Sequence, residues 1–217
     1  MLEKTQVRIV AGSLRGRKLT CVVHEAMRPT PQAVREALFS ILGNAVPGRV
    51  FYDVFAGTGV VGLEAVSRGA VGARLVEKDA RLGIEIQKYA ADFGIADKAQ
   101  VLKADVYRWA ERWIPAGTAP VNIFLSPPFP DLSEKADEFL ALVTTLLDKA
   151  PDESVLTIQA EDGFPLDRLP EIDAWDVRRY GRNLLLFYVK GETMGGPAGD
   201  DPAPAGGGDD HERESDG

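Results

Sequence analysis

Residues 50–62 read VFYDVFAGTGVVG, and this stretch decides the fold class. An apolar run ends at Phe55, and the glycine-containing segment GVVGLEAVSRG after it is predicted to be a helix. Gly57 and Gly59 let the backbone approach a ligand closely, while Gly62 lets the helix pack against the strand. The glycine spacing also matches the G-x-G-x-x-G pattern of dinucleotide sites, although a tight turn without a ligand has the same pattern.

Strands and helices alternate along the chain after this turn. Further strands are predicted at 73–79, 100–105, 121–126 and 154–161, and an antiparallel hairpin within 175–190 closes the sheet. Repeated βα units form a mostly parallel sheet with helices on both faces. The sequence therefore predicts a Rossmann-like α/β fold with seven strands, and such sheets bind ligands at the carboxyl ends of their strands.

Three segments are predicted. Residues 1–48 form an extension, in which VRIVAG and GRKLTCVV pair as a β-hairpin and RPTPQAVREALFSILG forms a helix with Thr30 as its N-cap. Residues 49–190 form the main domain. Residues 191–217 form an acidic tail rich in glycine and proline, with no large apolar residue beyond Met194, so we expect it to be disordered.

The net charge of −8 is unevenly distributed. Residues 191–217 contain eight acids and one base, whereas residues 1–49 contain eight bases and three acids, a local charge of +5. A basic arm on a nearly neutral body attracts phosphates, which makes a nucleic acid a candidate partner. A charge-mixed, solvated surface is the alternative.

Several classes of protein are disfavoured by composition. No apolar run approaches the roughly 20 residues of a membrane span. Cys21 is the single cysteine, so no internal disulfide forms, and His24 and His211 are far apart in sequence. We therefore expect a cytoplasmic protein without a bound metal.

Acidic residues at the predicted strand ends indicate the kind of ligand. Asp53 lies four residues before the first glycine, where a carboxylate favours the sulfonium and amino groups of S-adenosylmethionine and opposes a pyrophosphate. Glu77 ends the second strand and is placed to accept hydrogen bonds from ribose hydroxyls. Asp105 follows the third strand and is placed for an adenine amino group. Asp53 and Asp105, taken singly, could equally be helix caps.

The loop Ser126-Pro127-Pro128-Phe129 follows the fourth strand. Two prolines fix an extended backbone, which holds hydrogen-bond acceptors at a set position beside an aromatic face. An exocyclic amine on a nucleic-acid base is a poor nucleophile, and acceptors on its hydrogens expose the nitrogen lone pair. Phe129 could stack on that base. The pattern predicts transfer of a methyl group to such an amine, with an ordinary proline-rich loop as the alternative.

The chain resembles the RsmD family, bacterial methyltransferases that modify the exocyclic N2 of a guanine in small-subunit (16S) ribosomal RNA. The resemblance runs from Arg8 to about Lys190 and is carried by RIVAGSLRGRKL, RPTPQAVREALFSIL, DVFAGTGVVGLEAVSRGA, VEKD and the Ser-Pro-Pro-Phe loop. It implies S-adenosyl-L-methionine as cofactor, ribosomal RNA or the small ribosomal subunit as partner, and a monomer. It also implies that the N-terminal hairpin and residues 28–30 bind RNA or cover the cofactor.

The predicted site has three parts. The cofactor contacts are Asp53, Phe55, Ala56, Gly57, Thr58, Gly59, Glu77, Lys78, Asp105 and Val106. The catalytic loop is Ser126, Pro127, Pro128 and Phe129. The RNA contacts are Arg15, Arg17, Lys18, Arg28 and Arg35.

The chain departs from the family pattern at three positions. Ser126 stands where the family usually has Asp or Asn, Phe129 where it often has Tyr, and Gln32 where it usually has an acid. A Ser-Pro-Pro-Tyr/Phe loop also resembles that of cytosine-N4 DNA methyltransferases. Two other functions are therefore considered: an NAD-dependent oxidoreductase on the same glycine pattern, and a catalytically weak RNA-binding paralogue.

Overall fold

A seven-stranded sheet and a two-stranded hairpin organise the chain in the computed structural model, which describes residues 2–24 and 29–191. The strands are β1 (Leu2–Arg8), β2 (Lys18–His24), β3 (Val50–Val54), β4 (Gly72–Glu77), β5 (Ala99–Lys103), β6 (Asn122–Leu125), β7 (Val155–Glu161), β8 (Asp176–Tyr180) and β9 (Asn183–Val189). The α-helices are α1 (Gln32–Leu42), α2 (Val60–Ser67), α3 (Ala80–Asp92), α4 (Val106–Arg112), α5 (Phe129–Ser133) and α6 (Ala136–Lys149).

The strand order in the large sheet is β5-β4-β3-β6-β7-β9-β8. The first five strands in this order run parallel to their neighbours, and β9 pairs antiparallel with both β7 and β8. The predicted Rossmann-like fold, with its closing antiparallel hairpin and its N-terminal hairpin and helix, is confirmed. β3, which carries Asp53, lies between β4 and β6, so the turn after it opens at the middle of the sheet edge.

Two apolar layers cover the sheet. Alternate residues of β3 point to opposite faces, as strand geometry requires: Phe51 packs with α1, α2 and α3, while Tyr52 packs with α4, α5 and α6. The long buried layers hold the strands in fixed register, and the loops at their carboxyl ends are consequently held in place. Among the described residues, no helix is both long and apolar enough to cross a membrane.

The extension is fastened to the main domain by polar contacts. The Tyr89 hydroxyl on α3 accepts from the backbone N–H of Thr20 at 2.8 Å and donates to the Thr20 carbonyl at 2.9 Å. The loop between β1 and β2 meets the end of α2, where the Ser67 carbonyl accepts from the N–H of Ser13 at 2.8 Å. The extension therefore lies against α2 and α3 as part of one packed body.

The structure corrects several local predictions. Thr30 is not the N-cap of α1: Pro31 occupies that position, and the Thr30 hydroxyl instead donates to Gln159. The first strand of the hairpin ends at Arg8, because Ile9 and the following loop turn inward and Ile9 is fully buried. Residues after the catalytic loop form α5, a short helix that the sequence did not indicate. Residues 192–217, predicted to be a disordered tail, lie outside the described residues.

Candidate active site

A cavity of about 260 Å³ opens at the carboxyl ends of the parallel strands. Its walls come from the turns after β3, β4, β5 and β6, from the end of β7 and from the start of the α1 segment. The lining residues are Pro29, Thr30, Asp53, Phe55, Ala56, Gly57, Thr58, Val60, Val61, Val76, Glu77, Lys78, Asp105, Val106, Tyr107, Phe124, Ser126, Pro127, Pro128, Phe129, Asp131, Lys135 and Gln159.

The turn after β3 is held by Glu77 at the end of the neighbouring strand β4. Glu77 Oε2 accepts from the N–H of Gly57 at 2.8 Å, and Oε1 accepts from the N–H of Asp79 at 2.8 Å. Burial raises the pKa of Glu77, and these two N–H donors oppose the rise. Each carboxylate oxygen has a second lone pair, so Glu77 can hold the turn and still accept a ligand hydroxyl.

Asp53 lies beneath the same turn and is 1% exposed. Its Oδ2 accepts from the N–H of Gly62 in the first turn of α2 at 2.8 Å. Burial raises the pKa of Asp53 to about 7, the Gly62 N–H lowers it, and the negative charge of Glu77 raises it further. A cation bound beside Asp53 and Glu77 would favour the ionised form of both carboxyl groups, so this part of the cavity suits a cationic ligand.

Aromatic side chains form part of the cavity wall. Phe55, which has a positive φ of 72°, meets the ring of Tyr107 edge-on with centroids 6.0 Å apart. The Tyr107 hydroxyl donates to Asp131 Oδ2 at 2.8 Å. Asp105 caps α4, accepting from the N–H of Arg108 at 3.2 Å, and also lines the cavity. A flat ring bound between Phe55 and Val106 would meet apolar surface with a carboxylate at its edge.

The Ser126–Phe129 loop also lines the cavity. The N–H of Ser126 donates to the Val54 carbonyl at 3.4 Å, which fixes the loop to the end of β3. The Ser126 hydroxyl donates to Gln159 Oε1 at 3.3 Å. Phe129 is half-buried at the first position of α5. The loop therefore presents a hydroxyl and an aromatic face to the same space as the carboxylates.

Comparison with known proteins identifies the family. A family model described as "Conserved hypothetical protein 95" matches residues 7–189. The chain belongs to this family. The ribosomal RNA small subunit methyltransferase D of Escherichia coli K12 is 37% identical over 124 residues, which are 57% of this chain and 61% of that protein. The chain thus spans about three fifths of the length of this curated relative, and the predicted resemblance to the RsmD family is confirmed.

Solved structures share the family fold. A hypothetical protein from Thermus thermophilus is 30% identical, with a TM-score of 0.67 over 84% of this chain and 99% of that chain. A 16S rRNA guanine-N2 methyltransferase of T. thermophilus, in complex with AdoMet and guanosine, has a TM-score of 0.66 at 24% identity over 88% of this chain and 51% of that chain. The second likeness shows the fold alone.

The structure brings most predicted cofactor and catalytic residues to one cavity. Gly59 is the exception: it lies behind the turn, where a Cβ would come within 2.7 Å of the Ile86 side chain. Its role in this family member is to let α3 pack closely on the turn. The assignment of the other residues to a bound cofactor stays a prediction.

The five residues predicted to contact RNA have different outcomes in the structure. The assignment of Arg35 is wrong, because its side chain is 2% exposed and donates to Glu64 and to the backbone carbonyls of Thr30 and Arg8. Arg15, Arg17 and Lys18 are exposed, so RNA contact by these three stays a prediction. Arg28 lies outside the described residues.

The exposed bases lie at the far end of α2 from the cavity. The hairpin turn meets Ser67 at the last residue of α2, whereas the cavity lies at the first turn of that helix. Eight residues of α-helix span about 12 Å. An RNA that contacts both Arg15 and the cavity must therefore extend along this face of the protein.

Gln159 lines the cavity although the sequence did not single it out. Thr30 donates to Gln159 Oε1 at 2.9 Å, and Gln159 Nε2 donates to Asn183 Oδ1 at 3.1 Å. A glutamine near the end of the apolar strand VLTIQAE was the available signal, because strand ends carry the ligand site in this fold. Within residues 2–24 and 29–191, no cluster of three or more His, Cys, Asp or Glu is arranged to hold a metal ion.

Proposed function

We propose that this protein is an S-adenosyl-L-methionine-dependent methyltransferase that acts on an exocyclic amino group of a base in RNA, guanine N2 in small-subunit (16S) ribosomal RNA. One observation carries the proposal. The glycine turn with Asp53 and Glu77 beside it and the Ser-Pro-Pro-Phe loop line the same cavity. The first suits a cationic methyl donor and the second suits an amine acceptor.

The residues present fit the cofactor. Asp53 and Glu77 match the ammonium and ribose hydroxyls of S-adenosylmethionine, and Phe55, Val106 and Asp105 offer an apolar slot with a carboxylate at its edge for adenine. When bound, this cofactor supplies a methyl group on a sulfonium and leaves as a neutral thioether. Ala56, Thr58 and Lys78 complete the wall on the same side.

The same contacts disfavour a nicotinamide dinucleotide. A pyrophosphate at a glycine turn needs free backbone N–H groups. Here the N–H of Gly57 donates to Glu77, and that of Gly62 donates to Asp53. The N–H of Gly59 donates to the Ala56 carbonyl at 2.7 Å. A pyrophosphate would displace these bonds and face two carboxylates.

The loop supplies the chemistry on the acceptor side. The target base leaves its stack and enters the cavity, where Phe129 packs on its face. The Ser126 hydroxyl and a backbone carbonyl of the loop accept from the amino hydrogens, which localises the lone pair on nitrogen. Positioning and electrostatics supply most of the rate enhancement, and the amine proton leaves to solvent after transfer.

The relatives support the proposed substrate. The E. coli relative is named as a ribosomal RNA small subunit methyltransferase, and the basic hairpin offers exposed Arg15, Arg17 and Lys18 to phosphates. We propose that ribosomal RNA or the small subunit is the partner. We also propose that the protein acts as a monomer in the cytoplasm. Residues 1–48 form the extension and residues 49–190 form the catalytic domain.

Two measurements test the cofactor. Calorimetry should detect binding of S-adenosylhomocysteine, and the Asp53→Ala variant should lose it; unchanged affinity would contradict the assignment. Thermal-shift assays with NAD and with S-adenosylhomocysteine distinguish the methyltransferase from the NAD-dependent oxidoreductase. A methyltransferase should show a higher melting temperature with S-adenosylhomocysteine and an unchanged one with NAD.

The reaction itself is tested by transfer of tritium from labelled S-adenosylmethionine to 16S rRNA and to immature small subunits. Mass spectrometry of the nucleosides should then identify N2-methylguanosine. Tight cofactor binding without transfer to either substrate would favour the catalytically weak RNA-binding paralogue. Methyl transfer to a cytosine amino group would retain the enzyme class and contradict the guanine assignment.

A further inference from the structure

We infer that Gln159 is a positioning residue that makes Ser126 a hydrogen-bond acceptor toward the target amine; this rests on the proposed function. A serine hydroxyl can donate or accept a hydrogen bond, whereas the amino group needs an acceptor. An Asp or Asn oxygen accepts without further help. The serine at this position therefore needs a neighbour that fixes the direction of its O–H bond.

Gln159 has the geometry for this role. It is 6% exposed, and it lies on β7, directly beside the β6 strand that leads into the loop. Its Oε1 lies 3.3 Å from Ser126 Oγ and is the acceptor for the serine hydrogen. With that hydrogen directed to Gln159, the lone pairs of Ser126 Oγ remain for the base.

The orientation of the Gln159 amide is itself held from two sides. Nε2 donates to Asn183 Oδ1 at 3.1 Å, and Oε1 accepts from the Thr30 hydroxyl at 2.9 Å. With Nε2 bound to β9, the carbonyl end faces Ser126 and Thr30. The three contacts join the extension, the last strand and the catalytic loop through one amide.

The opposite orientation of the amide has a distinct consequence. If Nε2 faced the loop, it would donate to Ser126 Oγ, and the serine hydrogen would then point toward the base. The Ser126 O–H and the amino N–H of the base would then both be donors facing each other. Without an acceptor, the lone pair of the amino nitrogen would stay delocalised into the ring. The direction of this one amide therefore decides whether serine can replace an acidic or amide residue in the loop.

Substitutions at Gln159 test the inference in the full-length chain, with tritiated S-adenosylmethionine and 16S rRNA or immature small subunits. Gln159→Met should lower kcat by about tenfold, the factor that corresponds to about 1.4 kcal/mol. Its affinity for S-adenosylhomocysteine should stay within twofold of the original protein, which also shows that the variant is folded. Gln100→Met, at an exposed position on β5, is the matched control and should leave kcat unchanged.

A carboxylate at the same place should rescue the reaction. In Gln159→Glu both oxygens accept, so Ser126 stays an acceptor, and the Asn183 amide can turn to donate. Its kcat should approach that of the original protein at high pH and fall as the pH drops and the new carboxyl group is protonated. The original protein should not show this additional fall in kcat at low pH.

Ser126→Asp supplies the decisive comparison, because its oxygens accept whatever Gln159 does. Adding Gln159→Met to this background should change kcat by less than twofold. An equal loss in both backgrounds would overturn the inference and leave Gln159 as a packing residue, as would full activity of Gln159→Met in the serine background. If the original protein transfers no methyl group to any RNA substrate, the proposed function fails and the inference fails with it.

Discussion

Arg35 on α1 and Glu64 on α2 form a buried ion pair, with 3.2 Å between Nε and Oε2 and side-chain exposures of 2% and 0%. Arg35 also donates to the Thr30 carbonyl at 2.6 Å and to the Arg8 carbonyl at 2.8 Å. One side chain thus connects both parts of the extension to the helix that follows the glycine turn.

Removal of Arg35 should destabilise the whole fold. In Arg35→Met the two carbonyls lose their donor, and Glu64 keeps only Arg68, whose Nη2 lies 2.7 Å from Oε1. Breaking a buried ion pair costs about 3 kcal/mol or more, and we expect a loss of that size in denaturant unfolding. Arg15→Met, at an exposed position, is the control and should change stability by less than about 0.5 kcal/mol. A loss below about 1 kcal/mol for Arg35→Met would mean that the pair is not integral to the fold.

Gly12 fits against α2 more tightly than any side chain allows. A Cβ at Gly12 would lie 1.9 Å from the Ser67 carbonyl oxygen, whereas one at Gly16 meets no atom within 4 Å. Both residues have a positive φ, 83° and 86°. Gly16→Ala should therefore cost only the backbone strain, about 1–2 kcal/mol. Gly12→Ala should cost clearly more, since the loop must also move away from α2. Equal melting temperatures for the two variants would contradict this packing.

The Asp53 carboxyl predicts a pH dependence of stability. Burial raises its pKa to about 7 in the folded state, compared with about 3.9 when unfolded. Between these values the unfolded chain has lost the proton and the folded chain has kept it, so stability should fall as the pH rises from about 4 to about 7 and level off above.

Asp53→Asn removes this titration while an oxygen remains to accept from the Gly62 N–H. The difference in free energy of unfolding between the two proteins should change by about 2–4 kcal/mol across the window. Because the charge of Glu77 contributes to the raised pKa of Asp53, the comparison reports the titration of Asp53 together with its coupling to Glu77. Parallel pH curves in urea titrations would show that Asp53 is already ionised at low pH.

The hairpin bases should contribute to RNA affinity without affecting the cofactor. Arg15→Gln combined with Lys18→Gln should weaken binding to 16S rRNA and reduce the slope of log affinity against log salt by about one for each phosphate that is no longer neutralised. Arg112→Gln, an exposed base at the end of α4 on the opposite face of the sheet, is the control. An unchanged salt dependence in the double variant would remove the hairpin from the RNA-binding surface.

The parts predictable from sequence are those encoded locally. The apolar run before Gly57 predicts a strand, and the acids at 53, 77 and 105 lie at or just beyond the carboxyl ends of strands. Their meeting at one edge of the sheet therefore follows from the parallel topology. The antiparallel hairpin within 175–190 was equally predictable.

The missed contacts depend on partners distant in sequence. Gln159 acquires its role from Thr30, 129 positions earlier, and no local pattern encodes that pairing. Arg35 looked like an exposed base beside the apolar face of α1, and only the position of Glu64 across the interface makes it a core residue. An acid within the otherwise apolar helix α2 was the one available sign. The sequence also leaves open which end of the hairpin faces the cavity.

The bond between Gln159 and Asn183 has a consequence for synthesis of the chain. Domains generally fold as units during synthesis, and β9 is the last strand of the sheet to be synthesised. β9 is also the strand that joins β8 to the rest of the sheet. The amide at Gln159 gains its last partner only when residues 183–189 have been added. The contact that holds the Gln159 amide against β9 is therefore among the last that the chain can form.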